Sequence, residues 1–67
     1  MALNHIVRTY DINGKVLYED CFHTADRAYE EFTSIIKLLN RKLEKDEAVV
    51  VTRYNDGYLM NMEVIEK

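Results

Sequence analysis

The chain has 67 residues, of which 48% are hydrophobic and 31% are charged, with no proline and a formal net charge of −3. This composition is typical of a single globular domain covering residues 1–67 and excludes a disordered chain. The mild negative charge argues against a general affinity for DNA, and no apolar run approaches the ~20 residues of a membrane span. The first residues lack the basic and apolar segments of a signal peptide, and Cys21 is the single cysteine. We therefore expect the protein in the cytoplasm.

A domain of this size supplies only a small hydrophobic core, usually worth about 3–5 kcal/mol, and small folds often need additional stabilisation. An intrachain disulfide is excluded because there is one cysteine. The sequence therefore predicts association, either as a homodimer or with a permanent protein partner.

The first part of the chain predicts a β-hairpin. Leu3 to Tyr10 and Lys15 to Phe22 are rich in β-branched and aromatic residues, and Asn13-Gly14 between them is a strong hairpin signal. Two registers are open. A two-residue Asn13-Gly14 turn, which we favour, places Arg8 opposite Glu19, whereas a type I turn with a bulge at Gly14 places His5 opposite Cys21.

The central stretch, Thr24 to Lys45, predicts one long amphipathic helix. Its apolar residues recur with the i, i+3, i+4, i+7 spacing of a buried stripe: Ala25, Ala28, Tyr29, Phe32, Ile35, Ile36, Leu39 and Leu43. Thr24 is the expected N-cap, and acidic residues precede basic ones along the helix, which complements its dipole.

The last part of the chain predicts a second hairpin, with strands from Glu47 to Tyr54 and from Tyr58 to Ile65 around Asn55-Asp56-Gly57. The turn is either a two-residue Asp-Gly turn or a bulged three-residue form. Glu66 and Lys67 are expected to fray. The resulting order is β-β-α-β-β, an α+β fold with a four-stranded antiparallel sheet and one helix packed on one face.

One helix covers one face of such a sheet, and the residues predicted for the other face are not predominantly polar. Strict alternation puts apolar residues on both sides of the strands. It separates Val16, Tyr18 and Phe22 from Leu17 and Cys21, and it separates Tyr58, Met60 and Met62 from Leu59 and Ile65. Tyrosine and methionine are enriched at protein interfaces. We therefore predict partner binding through an open sheet face, together with one leucine that falls off the helical stripe: Tyr10, Tyr18, Leu38, Tyr54, Tyr58 and Met60.

No pattern commits the chain to a reaction or a cofactor. His5, Cys21 and His23 are the only soft metal ligands, and they lack the spacing of zinc motifs. Glu19 and Asp20 beside Cys21 disfavour a reactive thiolate, and both glycines read as turn residues. We therefore expect no enzyme, no metal and no cofactor.

The favoured function is a small regulatory protein that binds itself or another protein. By analogy of size and type alone, it is comparable to accessory factors of mobile elements that modulate a larger host protein. The alternative is a single-stranded nucleic-acid-binding protein, in which the sheet tyrosines stack on bases and a basic set of residues contacts phosphates: Arg8, Lys37, Arg41, Lys42, Lys45 and Arg53.

Overall fold

The computed structural model describes residues 4–67, which form one antiparallel sheet and one helix. The elements are β1 (His5–Asp11), β2 (Val16–Phe22), α1 (Ala25–Lys42), β3 (Ala48–Asn55) and β4 (Tyr58–Glu66). The strand order is β2-β1-β3-β4, and α1 lies across one face. The predicted α+β fold is therefore confirmed. Leu3, the expected first residue of β1, lies outside the described residues.

The core lies between α1 and the two central strands. Val7 of β1 and Val51 of β3 are fully buried, and α1 contributes Ala28 and Phe32 from its apolar stripe. The remaining core residues are Val49 and Ile65, with partly buried residues packed around them: Phe22, Ile35, Ile36, Leu39 and Leu43. The predicted helical stripe is thus the packing surface, and the core it builds is small.

Helix α1 begins where the sequence predicts and ends earlier. Thr24 has an extended backbone, and its Oγ1 accepts a hydrogen bond from the Arg27 amide at 3.3 Å, as an N-cap residue does. The last helical residue is Lys42, so the predicted end at Lys45 is wrong. Leu43 is already extended, yet its side chain still packs against the core, which explains why the apolar pattern continues past the helix.

The first hairpin combines parts of both predicted registers. The Gly14 amide donates to the Asp11 carbonyl at 3.1 Å, and Gly14 has a φ of 86°, as in a type I turn followed by a glycine bulge. The favoured two-residue turn is therefore wrong. A second bulge at Leu17 shifts the register back by one residue, so Arg8 lies opposite Glu19 as predicted, and His5 lies opposite Phe22.

The second hairpin has the two-residue Asp56-Gly57 turn, in which both residues have a positive φ, as a type I′ turn requires. Beyond it, Met60 is the extra residue of a bulge, so Leu59 pairs with Tyr54 and Asn61 pairs with Arg53. The predicted alternation is confirmed from Asn61 to Ile65 and is wrong at the start of the strand, because the bulge moves Leu59 to the face that carries Met62.

The carboxyl end of the chain is tied to the start of β3. The Lys67 amide donates to the Glu47 carbonyl at 3.0 Å, and the Asp46 amide donates to the Lys67 carbonyl at 3.2 Å. The expected fraying of Glu66 and Lys67 is therefore wrong. Within residues 4–67, no helix is both long enough and apolar enough to cross a membrane.

Candidate functional site

The sheet face that α1 does not cover carries three rows of side chains across all four strands, since residues opposite one another on paired strands share a face. We call this surface the open face. In the order β2, β1, β3, β4, its rows are Cys21, Ile6, Tyr54, Leu59; then Glu19, Arg8, Thr52, Met62; then Val16, Tyr10, Val50, Val64.

The two outer rows of the open face are apolar or aromatic, and the polar residues are confined to the middle row. Val16, Leu59, Met62 and Val64 are 45% to 58% exposed, all on the two edge strands. A solvent-facing side of an antiparallel sheet is normally polar. The open face is therefore more apolar than the exposed side of an antiparallel sheet usually is.

The centre of the open face is a hydrogen-bonded cluster around Arg8. Its Nε donates to Glu19 Oε1 at 2.5 Å, and its Nη1 donates to the Tyr10 hydroxyl at 3.0 Å. The guanidinium carbon lies 5.9 Å from the Tyr10 ring centroid and 5.3 Å from that of Tyr54, and the two hydroxyl groups are 3.2 Å apart. The only charges of the middle row are thus paired within the protomer.

These contacts shift the ionisation of the two tyrosines in opposite directions. The hydrogen bond from Arg8 favours the phenolate of Tyr10 and lowers its pKa. The hydrogen bond to Tyr10 favours the neutral form of Tyr54 and raises its pKa. The hydrogen bond to Tyr10 and, to a smaller extent, the one to Glu19 raise the pKa of Arg8, so the guanidinium stays charged. The cluster therefore carries one cation and one anion.

A second concave surface lies on the opposite side of the sheet, between α1 and strands β2, β1 and β3. We call it the helix groove. Its volume is about 390 Å³, and it is lined by Thr9, Leu17, Tyr18, Glu31, Ser34, Ile35, Leu38, Leu39 and Val49. The bulge at Leu17 matters here, because it brings both Leu17 and Tyr18 to this side of the edge strand.

The six predicted partner-binding residues divide among three places. Tyr10 and Tyr54 lie together on the open face. Tyr18 and Leu38 lie in the helix groove, where Tyr18 bonds to α1. The remaining two, Tyr58 and Met60, are exposed on the edge strand β4, at its turn and at its bulge.

The basic residues of the nucleic-acid alternative are also separated. Arg8 is on the open face, whereas Arg53 is on the helix side, where it bonds to Asn61 at 2.7 Å and lies over the Tyr29 ring. The others are exposed at or beyond the carboxyl end of α1: Lys37, Arg41, Lys42 and Lys45. These six side chains therefore do not form one continuous basic surface.

The candidate metal ligands are not brought together. His5 lies on the helix side of β1, opposite Phe22, whereas Cys21 lies on the open face, opposite Ile6. Within residues 4–67, no group of three or more His, Cys, Asp or Glu side chains is placed to hold a metal ion.

Several residues that line the open face and the helix groove were not identified from the sequence. The places of Val16 and Leu59 on the open face depend on the two bulges, whose positions the alternation of residue types does not reveal. The role of Glu31 in the helix groove had one available signal, since it lies on the edge of the apolar stripe of α1. In comparisons with protein-family models, curated proteins and solved structures, no match was found.

Proposed function

We propose that this chain is a small non-enzymatic interaction protein that self-associates through its open face. The observation that carries the proposal is the arrangement of that face. Two outer rows that are apolar or aromatic flank a middle row in which Arg8 and Glu19 form an ion pair, and four apolar side chains on the edge strands are roughly half exposed. Covering such a face removes apolar surface from water without leaving an isolated charge unpaired.

A second copy of the same chain is the occupant that the charges favour. A two-fold interface places the same surface on both sides, so a surface with a net charge would repel itself. The three rows contain one cation, Arg8, and one anion, Glu19, and the further anion Glu66 lies beyond them at the end of β4, so the centre of the interface between two copies is neutral.

The size of the core supports association independently. Val7 and Val51 are the only large side chains of residues 4–67 that are fully buried. A core of this kind leaves the protomer with about 3–5 kcal/mol of stability. Packing two sheets about 10 Å apart, as in a β-sandwich, gives the chain a second apolar layer.

The test is sedimentation velocity across a wide protein concentration range, with lysine variants on the open face and outside it. The wild-type chain is expected to sediment as a dimer. The double variant Met62→Lys, Val64→Lys places two cations on the open face and is expected to sediment as a monomer. Leu38→Lys adds the same type of charge at an exposed position of α1, outside the open face, and is expected to remain dimeric.

Circular dichroism on each variant establishes that it is folded before its mass is interpreted. A monomeric wild-type chain at every concentration would contradict self-association. A dimer that tolerates both open-face lysines would place the interface elsewhere and would equally contradict the proposal.

A further inference from the structure

The helix groove is a second candidate site, on the side of the sheet opposite the open face. Its volume of about 390 Å³ lies within the range of roughly 300–1,000 Å³ that small-molecule sites occupy. Its walls are apolar, from Leu17 on the edge strand and from Ile35 and Leu38 on the helix. Leu17 and Leu38 are both more than 40% exposed, so an apolar ligand would contact surface that now faces water.

One buried polar atom in the wall of the groove has no partner. Thr9 is 3% exposed and lines the groove, yet its Oγ1 makes no hydrogen bond with any atom of residues 4–67. Buried hydroxyl groups are nearly always hydrogen-bonded, as Thr52 shows on the other face, where Oγ1 donates to the Arg8 carbonyl at 2.9 Å. The Thr9 hydroxyl is therefore available to a polar atom of a ligand.

The mouth of the groove is acidic. The Tyr18 hydroxyl lies 2.6 Å from Glu31 Oε2 and 3.4 Å from Asp20 Oδ2, so two carboxylates converge on one phenol. Neither carboxylate is in an ion pair with a side chain of residues 4–67, where the one ion pair joins Arg8 to Glu19. Two unneutralised carboxylates beside an apolar surface favour a cation that carries an apolar body.

We propose that the helix groove binds a small organic amine: its apolar body packs between Leu17 and Leu38, its ammonium group pairs with Glu31, and a second polar group reaches Thr9. Tyr18 positions the Glu31 carboxylate by donating to one of its oxygens and leaves the other oxygen open to the ligand. This site is separate from the open face, so it does not depend on the proposed self-association.

Three probes that differ by one group each test the assignment. Tyramine has an ammonium group, an aromatic ring and a phenol. Phenethylamine lacks the phenol, and 4-(2-hydroxyethyl)phenol replaces the ammonium group by a neutral hydroxyl. Binding is measured by chemical-shift titration of the full chain, which also reports where each probe binds. Tyramine is expected to bind most tightly, with loss of the ammonium group weakening binding about tenfold and loss of the phenol about fivefold.

Two conservative variants assign the two polar contacts. In Glu31→Gln, tyramine and the neutral analogue are expected to bind equally, because the carboxylate that distinguishes them is removed. In Thr9→Val, tyramine and phenethylamine are expected to bind equally. The open-face variant Met62→Lys, Val64→Lys is expected to bind tyramine as the wild type does, whatever its oligomeric state.

The perturbed resonances are expected around Ser34, Ile35 and Leu38. The proposal is overturned if tyramine gives no saturable shifts, if the shifts fall on the open face, or if Glu31→Gln leaves the preference for the amine intact.

Discussion

Arg8 and Glu19 lie directly opposite each other on β1 and β2, with Arg8 Nε donating to Glu19 Oε1 at 2.5 Å. Their side chains are 28% and 43% exposed, so in a free protomer water screens the pair and it contributes little to folding. The same pair becomes important if the open face is covered, because a charge buried without its partner is costly.

Glu19→Gln is therefore expected to weaken association of the dimer while leaving the stability of the protomer almost unchanged. The free energy of unfolding of the protomer should change by less than about 1 kcal/mol, since the pair is partly exposed. The dissociation constant of the dimer should rise about tenfold or more, because Arg8 would be buried without its anion. Sedimentation equilibrium measures the second effect. Glu63→Gln, which removes one exposed carboxylate from the helix side of β4, is the control and should leave the dimer unchanged.

Thr9 and Thr52 are equally buried and should respond in opposite ways to the same substitution. Thr52→Val removes a hydrogen bond to the Arg8 carbonyl and should destabilise the fold by about 1 kcal/mol. Thr9→Val removes a hydroxyl that has no partner within residues 4–67 and should be neutral or stabilising by up to about 1 kcal/mol. Urea unfolding measures both. A loss of stability in Thr9→Val as large as that in Thr52→Val would show that the Thr9 hydroxyl is satisfied in solution.

Ionisation of Tyr18 should make the stability of the folded chain depend on pH in the alkaline range. Its hydrogen bond to the Glu31 carboxylate raises its pKa from an ordinary 10.0 to about 12 in the folded state. Because this pKa is raised by folding, the contribution of the Tyr18–Glu31 hydrogen bond to the free energy of unfolding is fully present below pH 10. It is lost as the pH rises through about 12. The stability of the wild type relative to Tyr18→Phe should therefore fall across this window.

The control is Glu31→Gln, with phenolate absorbance measured against the matching Tyr18→Phe variant so that the signal of Tyr18 is separated from that of the other four tyrosines. Without the carboxylate, the titration of Tyr18 should move back toward that of an ordinary tyrosine. A Tyr18 titration that is the same in the wild type and in Glu31→Gln would contradict the contact between β2 and α1.

Substitutions of Phe32 and Tyr29 test whether the stability of the protomer depends on a small hydrophobic core. They are neighbours on α1, with ring centroids 6.1 Å apart, but Phe32 is buried and Tyr29 is half exposed. Phe32→Ala should cost about 3–5 kcal/mol, which is comparable to the whole stability expected of a domain this small. Tyr29→Ala should cost about 1 kcal/mol, mainly through its contact with Arg53. Circular dichroism should show Phe32→Ala largely unfolded when dilute and Tyr29→Ala folded.

Sequence reasoning recovered the elements because their signals are local. The apolar stripe of the helix, the Thr24 cap and the two glycine turns each depend on a few neighbouring residues, and all are found in the structure. The end of the helix was misplaced because Leu43 packs on the core from an extended backbone, and periodicity alone does not distinguish that from a further helical turn.

The surfaces were less predictable because each edge strand contains a bulge. One extra residue, Leu17 in β2 and Met60 in β4, reverses the face of every residue on one side of it. In the first hairpin the bulge at Gly14 and the bulge at Leu17 compensate, so the Arg8–Glu19 pair was predicted from the wrong turn. The sequence predicts that Tyr18 and Leu38 are contact residues, but their shared place in the helix groove depends on the bulge at Leu17.

The most direct test of self-association is a filtered nuclear Overhauser experiment on a mixture of isotope-labelled and unlabelled wild-type chains. Such a mixture reports contacts between protomers only. The proposed interface predicts intermolecular signals from the methyl groups of Met62, Val64 and Leu59 to the rings of Tyr10 and Tyr54. A dimer whose intermolecular signals arise instead from α1, or a chain with no such signals at any concentration, would contradict it.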